Sequence, residues 1–514
     1  MNKKIIIGLI VSVTVLILSA GAYASSSNID VAGLKDMKNI TVDSKSLDES
    51  NGLYHSSDAD SNPILIKNGG NLKLTNSFIN KTGDTASTGD DADFYGINSG
   101  ILVNTNGTLD ISNVEINTNS KGSNGIFVTN AESSSNSGDS TQTSGEAQSP
   151  EDGQNQGGEG TQPPEAPGDN PNQGENGNQP PEAPGDNPNQ EGDGGQGQGN
   201  SGQGGETTVS GTTQANIKDV TITTHSDKSR GLDATYNGII NGENVIINTD
   251  GQSCAALATD RGEGQVHVKN SKINTGVSKE SGRGSPLIYS TGNITAENTE
   301  GTAYVSQIAC IEGKNSIELS NCDLKGAGGG NRQDGSDYVD LGGIFIYQSM
   351  SGDADVGTSI FKATDSKLSI PSNSPVYSKA PMFHITNTAC DINLEKTELS
   401  FGSGIFLEVA GQNQWGNEGS NGGTVKLNTD NENIDGNVTV DEISNLNWTM
   451  KNTQYKGTIN SSGNTTVNVA DGSTWTLTGN STLSSLEQTG NIDYGQYSLT
   501  VGGKTYNDSN PYKA

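Results

Sequence analysis

Asn244-Val245-Ile246-Ile247-Asn248-Thr249, Asn270-Ser271-Lys272-Ile273-Asn274-Thr275 and Asn321-Cys322-Asp323-Leu324-Lys325 are variants of one short pattern: a leading Asn, with an aliphatic residue three positions on and small or polar residues around it. The leaders recur at Asp219, Asn244, Asn270, Asn298 and Asn321, separated by 25, 26, 28 and 23 residues. A unit this short cannot enclose its own apolar side chains, so successive copies must stack and share one continuous core. The stretch from Ile217 to Val409 therefore predicts a solenoid. Alternation of apolar and polar residues and β-branched content make its coils strands, with no sustained helical period.

Composition agrees. Only 29% of the 514 residues are hydrophobic and 69 are Gly, too lean for thick globular cores but sufficient for a narrow column of aliphatic side chains. A net charge of -31 with only four Arg excludes a nucleic-acid partner, which would need clustered basic residues. Lys3 and Lys4, the apolar run from Ile5 to Leu18 and the small-x-small site Ala22-Tyr23-Ala24 read as a secretory signal over 1–24, cleaved before Ser25. The alternative, a retained anchor, is disfavoured by the shortness of the run. No later stretch is apolar enough to span a membrane, so the expected location is secreted or at the cell surface. The four Cys, at 254, 310, 322 and 390, lack a CxxC pair, which argues against zinc; buried free thiols are expected rather than disulfides.

Working outward from the repeat, 25–130 holds an N-terminal cap and the first coils, with copies at Gly70–Asn80 and Gly107–Thr118. Asp84, Asp90, Asp91 and Asp93 between them are the only candidate for a calcium ion, but they match no calcium-loop spacing, and a solvated acidic turn is expected. Residues 131–214 contain no aromatic, Lys or Arg residue and repeat the phrase Gln-Pro-Pro-Glu-Ala-Pro-Gly-Asp-Asn-Pro-Asn-Gln; this composition predicts a disordered insertion. Asn113 and Asp219 lie 106 residues apart, and removing the 84-residue insertion leaves 22, one coil. The main solenoid is assigned to 215–423 and a further run of coils with a cap to 424–514.

The stacked coils resemble right-handed parallel β-helix proteins of the pectate-lyase-like superfamily, and the leading Asn residues resemble the Asn ladders of such folds. Ala258-Thr259-Asp260-Arg261-Gly262, Ser285-Pro286-Leu287-Ile288-Tyr289-Ser290-Thr291-Gly292, Ile311-Glu312-Gly313-Lys314-Asn315 and Tyr347-Gln348-Ser349-Met350-Ser351-Gly352-Asp353 resemble a group of secreted β-helix proteins of Gram-positive bacteria. Gly472-Ser473-Thr474-Trp475-Thr476-Leu477-Thr478-Gly479-Asn480-Ser481 is similar to the closing coils of adhesin and autotransporter solenoids. The resemblance implies an all-β, right-handed parallel β-helix that is exported.

Each coil contains a second strand. Aligning these strands by Gly and aliphatic residues gives an inward column of Leu232, Leu257, Ile288, Ile311, Ile346, Phe383 and Leu407. The next residues point outward by the period of two: Asp233, Ala258, Tyr289, Glu312, Tyr347, His384 and Glu408. Two positions on, the same face gains Asp260, Thr291, Lys314 and Ser349, with Arg261 leaving the strand. Leu287, Phe345, Met382 and Phe406 imply that this face is a groove or is covered by a loop. Asp260 and Glu312 are expected two coils apart, near 10 Å, close to the carboxylate separation of inverting glycosidases. Tyr289 and Tyr347 suit stacking on sugar faces or proton transfer, and His384 suits acid or base chemistry.

The candidate catalytic set is thus Asp260, Glu312, Tyr289, Tyr347 and His384, and the candidate ligand set Asp233, Arg261, Lys314, Glu408 and Phe345. No metal or other cofactor is expected beyond the calcium candidate. The expected function is binding of an extracellular glycan or polysaccharide, as an adhesin or carbohydrate-binding protein. A polysaccharide lyase or glycoside hydrolase on the same face is the alternative from another class, and a structural matrix component, with no ligand at all, is the third. No Asp triplet stands beside a catalytic Arg as a pectate-lyase mechanism requires: Arg230 and Arg283 enter the second strand, whereas Arg261 leaves it.

Overall fold

The computed structural model describes residues 29–86, 89–132, 207–208, 210–279, 284–331 and 338–513. The signal sequence, most of the acidic insertion and Arg283 lie outside the described residues. What is described is a parallel β-helix. Among these residues one sheet has 21 strands, a second 16 and a third four, and nearly all pairings are parallel between successive coils. The described residues are all-β apart from a 3-10 turn at Val31–Gly33 and helix Gly89–Tyr95, the latter unforeseen in the sequence. No described helix is long and apolar enough to cross a membrane.

The leading Asn explains how each coil turns. In strand Ile239–Thr249 the pairing runs Lys218 to Glu243, skips Asp219 and Asn244, and resumes at Val220 with Val245. Asn244 has φ +54°, and Asp219, Asn270, Asn298 and Asn321 are also left-handed, at +53°, +53°, +49° and +52°. Asn and Asp tolerate this region best among residues with a side chain, so the leader bends the strand without breaking the sheet. The side chains then stack: Asn244 Nδ2 donates to Asp219 Oδ1 at 2.5 Å, Asn298 to Asn270 at 3.1 Å and Asn321 to Asn298 at 2.7 Å.

The residue after the leader repeats a second device, turned inward. Ser271 Oγ accepts from the Val245 N–H of the preceding coil at 3.1 Å and donates to Lys269 O at 2.8 Å, satisfying two backbone groups that the bend leaves unpaired. Ser77 and Ser366 do the same. At Glu432 a carboxyl takes the place of the hydroxyl: this residue, 1% exposed, accepts from Thr397 N–H through Oε1 at 2.7 Å and leaves Oε2 without a partner. Burial lifts its carboxyl to about 7. The folded chain therefore holds a proton there that the unfolded chain has released, so this group lowers stability progressively as pH rises from its ordinary value through about 7. Glu432→Gln should add about 1–2 kcal/mol to stability at pH 8 and little at pH 4.5, measured by urea unfolding at both pH values.

The second sheet supplies the opposite wall. Its inward residues Leu232, Leu257, Ile288, Ala309, Ile344, Phe383 and Leu407 are fully buried in one core that runs from Val42 to Val501. Here the sequence alignment needs correction. Ile288 pairs with Ala309, not Ile311, and Ile344, not Ile346, pairs with Phe383. The expected register slipped by two residues at one step and returned at another. A slip of two preserves which face a side chain occupies, so the inward assignments stand while the neighbours across coils change.

The insertion sits as the coil count requires. Ile111 pairs with Ile217, Val114 with Val220 and Ile126 with Leu232, so 113 and 219 belong to adjacent coils. An antiparallel pair, Ala131–Glu132 with Thr207–Thr208, closes its base. The boundary at 214 overshoots: Thr213 is buried, accepts from Asn106 N–H at 2.8 Å and donates to Asn130 Oδ1 at 2.7 Å, and Gln214 opens a core strand. Replacing 133–206 by Asn-Gly should leave the melting temperature unchanged or slightly raised, because a shorter loop is cheaper to close. A fall of more than about 5 °C would mean that the insertion packs on the solenoid.

Beyond 424 the coils shorten and aromatic side chains fill them. Trp448, Tyr455 and Trp475 are at most 1% exposed, and their polar atoms reach Thr429 Oγ1, Thr458 O and Gly457 O. Leu499–Val501 and Lys504–Tyr506 close this end as an antiparallel pair. All four Cys are free and buried.

Candidate functional site

The outer face of the second sheet, expected to be a groove or covered by a loop, is covered over its central coils. Asp233 is fully buried, and Phe345, Glu312, His384 and Tyr347 are 1%, 2%, 4% and 9% exposed. Segments from three distant coils make the cover. Helix Gly89–Tyr95 lies over the N-terminal side: Phe94 O accepts from Thr235 Oγ1 at 2.8 Å, the Arg261 guanidinium stands 3.7 Å from the Phe94 ring, and Tyr95 stacks on Tyr236. The loop after Tyr347 is tied back by Asp353 to Arg261. From the loop at 410–421, Trp415 packs 4.6 Å from Tyr347 and donates its Nε1–H to Asp340.

Glu312 is the hub of the central coils. Its Oε2 accepts from Tyr289 at 2.7 Å and from Tyr347 at 3.0 Å, and its Oε1 from Ser349 and, at 3.4 Å, from Ser351. Burial, together with the neighbouring Glu312 carboxylate, pushes both tyrosines well above their ordinary range, so they remain protonated donors. Ala258 pairs with Tyr289 and Tyr289 with Cys310, which puts Asp260 and Glu312 two coils apart at one level of the face. That is the expected spacing, about 10 Å. Thr291 stands between them with its hydroxyl turned to Thr259 O.

Asp260 belongs to a second cluster, centred on Arg230. Arg230 Nη1 bonds Asp93 Oδ1 at 2.7 Å, its Nη2 lies 2.7 Å from Asp260 Oδ2 without hydrogen-bond alignment, and its Nε is 4.0 Å from Asp233. Lys228 reaches the other oxygen of Asp93 at 2.6 Å. Burial alone would raise the Asp93 carboxyl, but Arg230 and Lys228 outweigh it and hold it below the ordinary range. Burial also raises Asp260, to about 6 against the pull of Arg230, and with the Asp260 charge beside it keeps Asp233 as the neutral acid.

Three candidates fall outside this arrangement. His384 Nδ1 lies 2.8 Å from Leu341 O and its Nε2 lies 3.3 Å from Gln412 Nε2, so both ring nitrogens are occupied. Its register partner is Phe345 rather than Tyr347. Glu408, about one-third exposed, lies 3.9 Å from His384 at the edge of the cover. Lys314, placed in the ligand set, binds Glu263 at 2.5 Å and Asp355 at 3.0 Å on the surface. Leu287, Met382 and Phe406 turn into the main core, where the chain rounds the corner into each strand, and only Phe345 remains on the outer face.

Between sheet and cover lies a cavity of about 360 Å³. Tyr289, Phe345, Tyr347 and Cys310 line one end, and Asp93, Phe94, Lys228, Arg230 and Asp260 the other, with Asp340, Asp353 and Gln307 also on its wall. Glu312 lies behind the two phenols and does not itself reach the cavity. Burial, with Asp340 and Glu312 nearby, raises the Cys310 thiol well above its ordinary value, so it is no nucleophile at neutral pH.

No protein-family model matches the chain, and no curated protein matches it.

Reasoning from sequence missed Phe94, Asp340 and Trp415, read Asp93 only as part of the calcium candidate and placed Arg230 only as entering the second strand. Asp93 and Phe94 lie on the helix Gly89–Tyr95 and Asp340 and Trp415 in loops, where the strand period gives no direction. Among the described residues no group of three or more His, Cys, Asp or Glu is disposed to hold a metal. Asp93 is engaged by Arg230 and Lys228, and Asp84 accepts from Lys121 N–H at 2.9 Å, so the calcium candidate does not assemble.

A wider groove of about 670 Å³ crosses the first sheet over Ile111, Ile217 and Val268. Its charged rim, Lys218, Glu243 and Lys269, pairs internally at 3.8 and 3.6 Å with all three side chains more than one-third exposed. Such a ladder of mutually satisfied surface charges is a solvated sheet face. The covered cavity is the better candidate.

Proposed function

We propose that this chain is an exported β-helix that binds an extracellular glycan, and that the cavity under the cover holds a short sugar unit. The carrying observation is the cavity itself: aromatic rings at one end, carboxylates and an ion-paired guanidinium at the other, and a roof brought together from three separate coils. Its size lies at the lower end of small-molecule pockets, which suits a terminal or branching unit rather than a long run of polymer. Phenol and phenyl faces stack on the apolar face of a sugar ring, while Asp353 and Gln307 offer acceptors and donors for its hydroxyls. The export signal in the sequence would place this site outside the cell.

Binding is better supported than cleavage. A hydrolase or lyase on this face needs Asp260 or Glu312 to meet the substrate, yet both Glu312 oxygens are taken by hydroxyls behind the phenols, and Asp260 lies against Arg230. A purely structural role gives no reason for a polar, roofed cavity. The test is retention of the full chain on a panel of immobilised glycans, followed by assays for new reducing ends and unsaturated products. Retention without product is expected. Failure to bind any glycan, or product formation abolished by Glu312→Gln, would overturn the reading.

A further inference from the structure

Glu312 differs from the ion-paired acids around the cavity in what surrounds its charge. Asp93 and Asp260 sit against Arg230, and Asp353 against Arg261, whereas Glu312 is met by hydroxyls alone. A carboxylate only 2% exposed with no cation beside it is costly to bury. Its two phenol donors stand between it and the cavity. A phenol that donates its proton toward a carboxylate carries extra negative charge in its ring, and ring faces attract cations. The same applies to Trp415, whose indole N–H donates to Asp340 Oδ1 at 2.9 Å and whose ring packs 4.6 Å from Tyr347. Phe345 lies 4.8 Å from Tyr347 and completes the aromatic end. The cationic groups that line the cavity, Lys228 and Arg230, are at its other end and already engaged by Asp93 and Asp260. The aromatic end is thus negative, apolar and shielded from water.

We propose that this end of the cavity takes an ammonium group, carried by an amino sugar or by a small quaternary amine, against the rings of Tyr289, Phe345 and Tyr347. The inference rests on the glycan reading for the choice of site, but its charge preference stands on Glu312 and the rings. A neutral sugar lacks the charge that these rings attract, and acetylation of an amino sugar removes it.

The experiment is calorimetric titration of the full chain at about pH 7 with glucosamine, N-acetylglucosamine, glucose and choline. Glucosamine is expected to bind about tenfold more tightly than glucose and N-acetylglucosamine. In Glu312→Gln, with an unchanged circular dichroism spectrum, that preference should fall below about twofold. Should this variant not fold, Trp415→Leu, at the half-buried edge of the cluster, should reduce the preference about threefold. Equal binding of glucosamine and glucose would overturn the ammonium inference and leave the glycan reading standing. Binding of choline alone, lost in Glu312→Gln, would uphold the ammonium site and overturn the glycan reading. Binding of none of the four would overturn the ammonium site.

Discussion

Arg230→Met should destabilise the chain by about 3–5 kcal/mol at pH 8. The guanidinium stands between Asp93, Asp260 and Asp233, all buried, and Met removes the charge while filling much of the volume. Asp93 and Asp260 are then left as buried carboxylates with only Lys228 beside them. They respond by holding protons to higher pH. The loss should therefore shrink as pH falls below about 6, where Asp260 takes up its proton even in the parent chain. Urea unfolding at pH 5 and pH 8 measures this, and an equal loss at both would show that Arg230 acts by packing alone. Arg230→Lys should recover only part, because one ammonium cannot serve two carboxylates on opposite sides.

Tyr347→Ala should cost about 3–5 kcal/mol and abolish ligand binding. Its ring is the contact shared by Phe345, Trp415 and the Glu312 carboxylate, so removing it opens the aromatic end and frees the loop at 410–421. Tyr347→Phe keeps the ring and deletes one donor to a carboxylate that retains Tyr289, Ser349 and Ser351, so about 1–2 kcal/mol is expected. Trp448 and Trp475 are fully buried in the distal coils, which leaves Trp415 as the tryptophan whose emission should shift to the red in the Ala variant and stay put in the Phe variant. Equal destabilisation by the two substitutions would place the energy in the hydroxyl rather than the ring.

The fold was legible because its governing element is local. A leader in the left-handed region at Asp219, Asn244, Asn270, Asn298 and Asn321 fixes where each coil turns, and the aliphatic residue three positions on, present in all of these coils but the one led by Asn298, faces the core. Parity along the second strand was legible for the same reason. Register was not, since a slip of two residues leaves every face unchanged, and so Ile311 was set beside Ile288 where Ala309 belongs. A groove or a covering loop was expected, but which segments make the cover was out of reach. Asp93 meets Arg230 across 137 residues of chain, and Trp415 meets Asp340 across 75, through turns that obey no repeat. Glu312, Tyr289 and Tyr347 stood out as breaks in a repetitive row, and they do converge; His384 stood out equally and is held by Leu341 and Gln412 instead. Unevenness in a repeat points to a place, while the partners decide the role.

The central claim is that ligand enters beneath the cover of the second sheet and not along the open groove of the first. Hydrogen exchange of the full chain, with and without the tightest-binding glycan of the panel, tests it most directly. The account predicts that ligand slows exchange at 91–96, 349–357 and 411–416, the three segments of the roof, and leaves the strands at Asn216, Asn241 and His267 unchanged. Slowed exchange confined to those strands, with the roof unaffected, would contradict it.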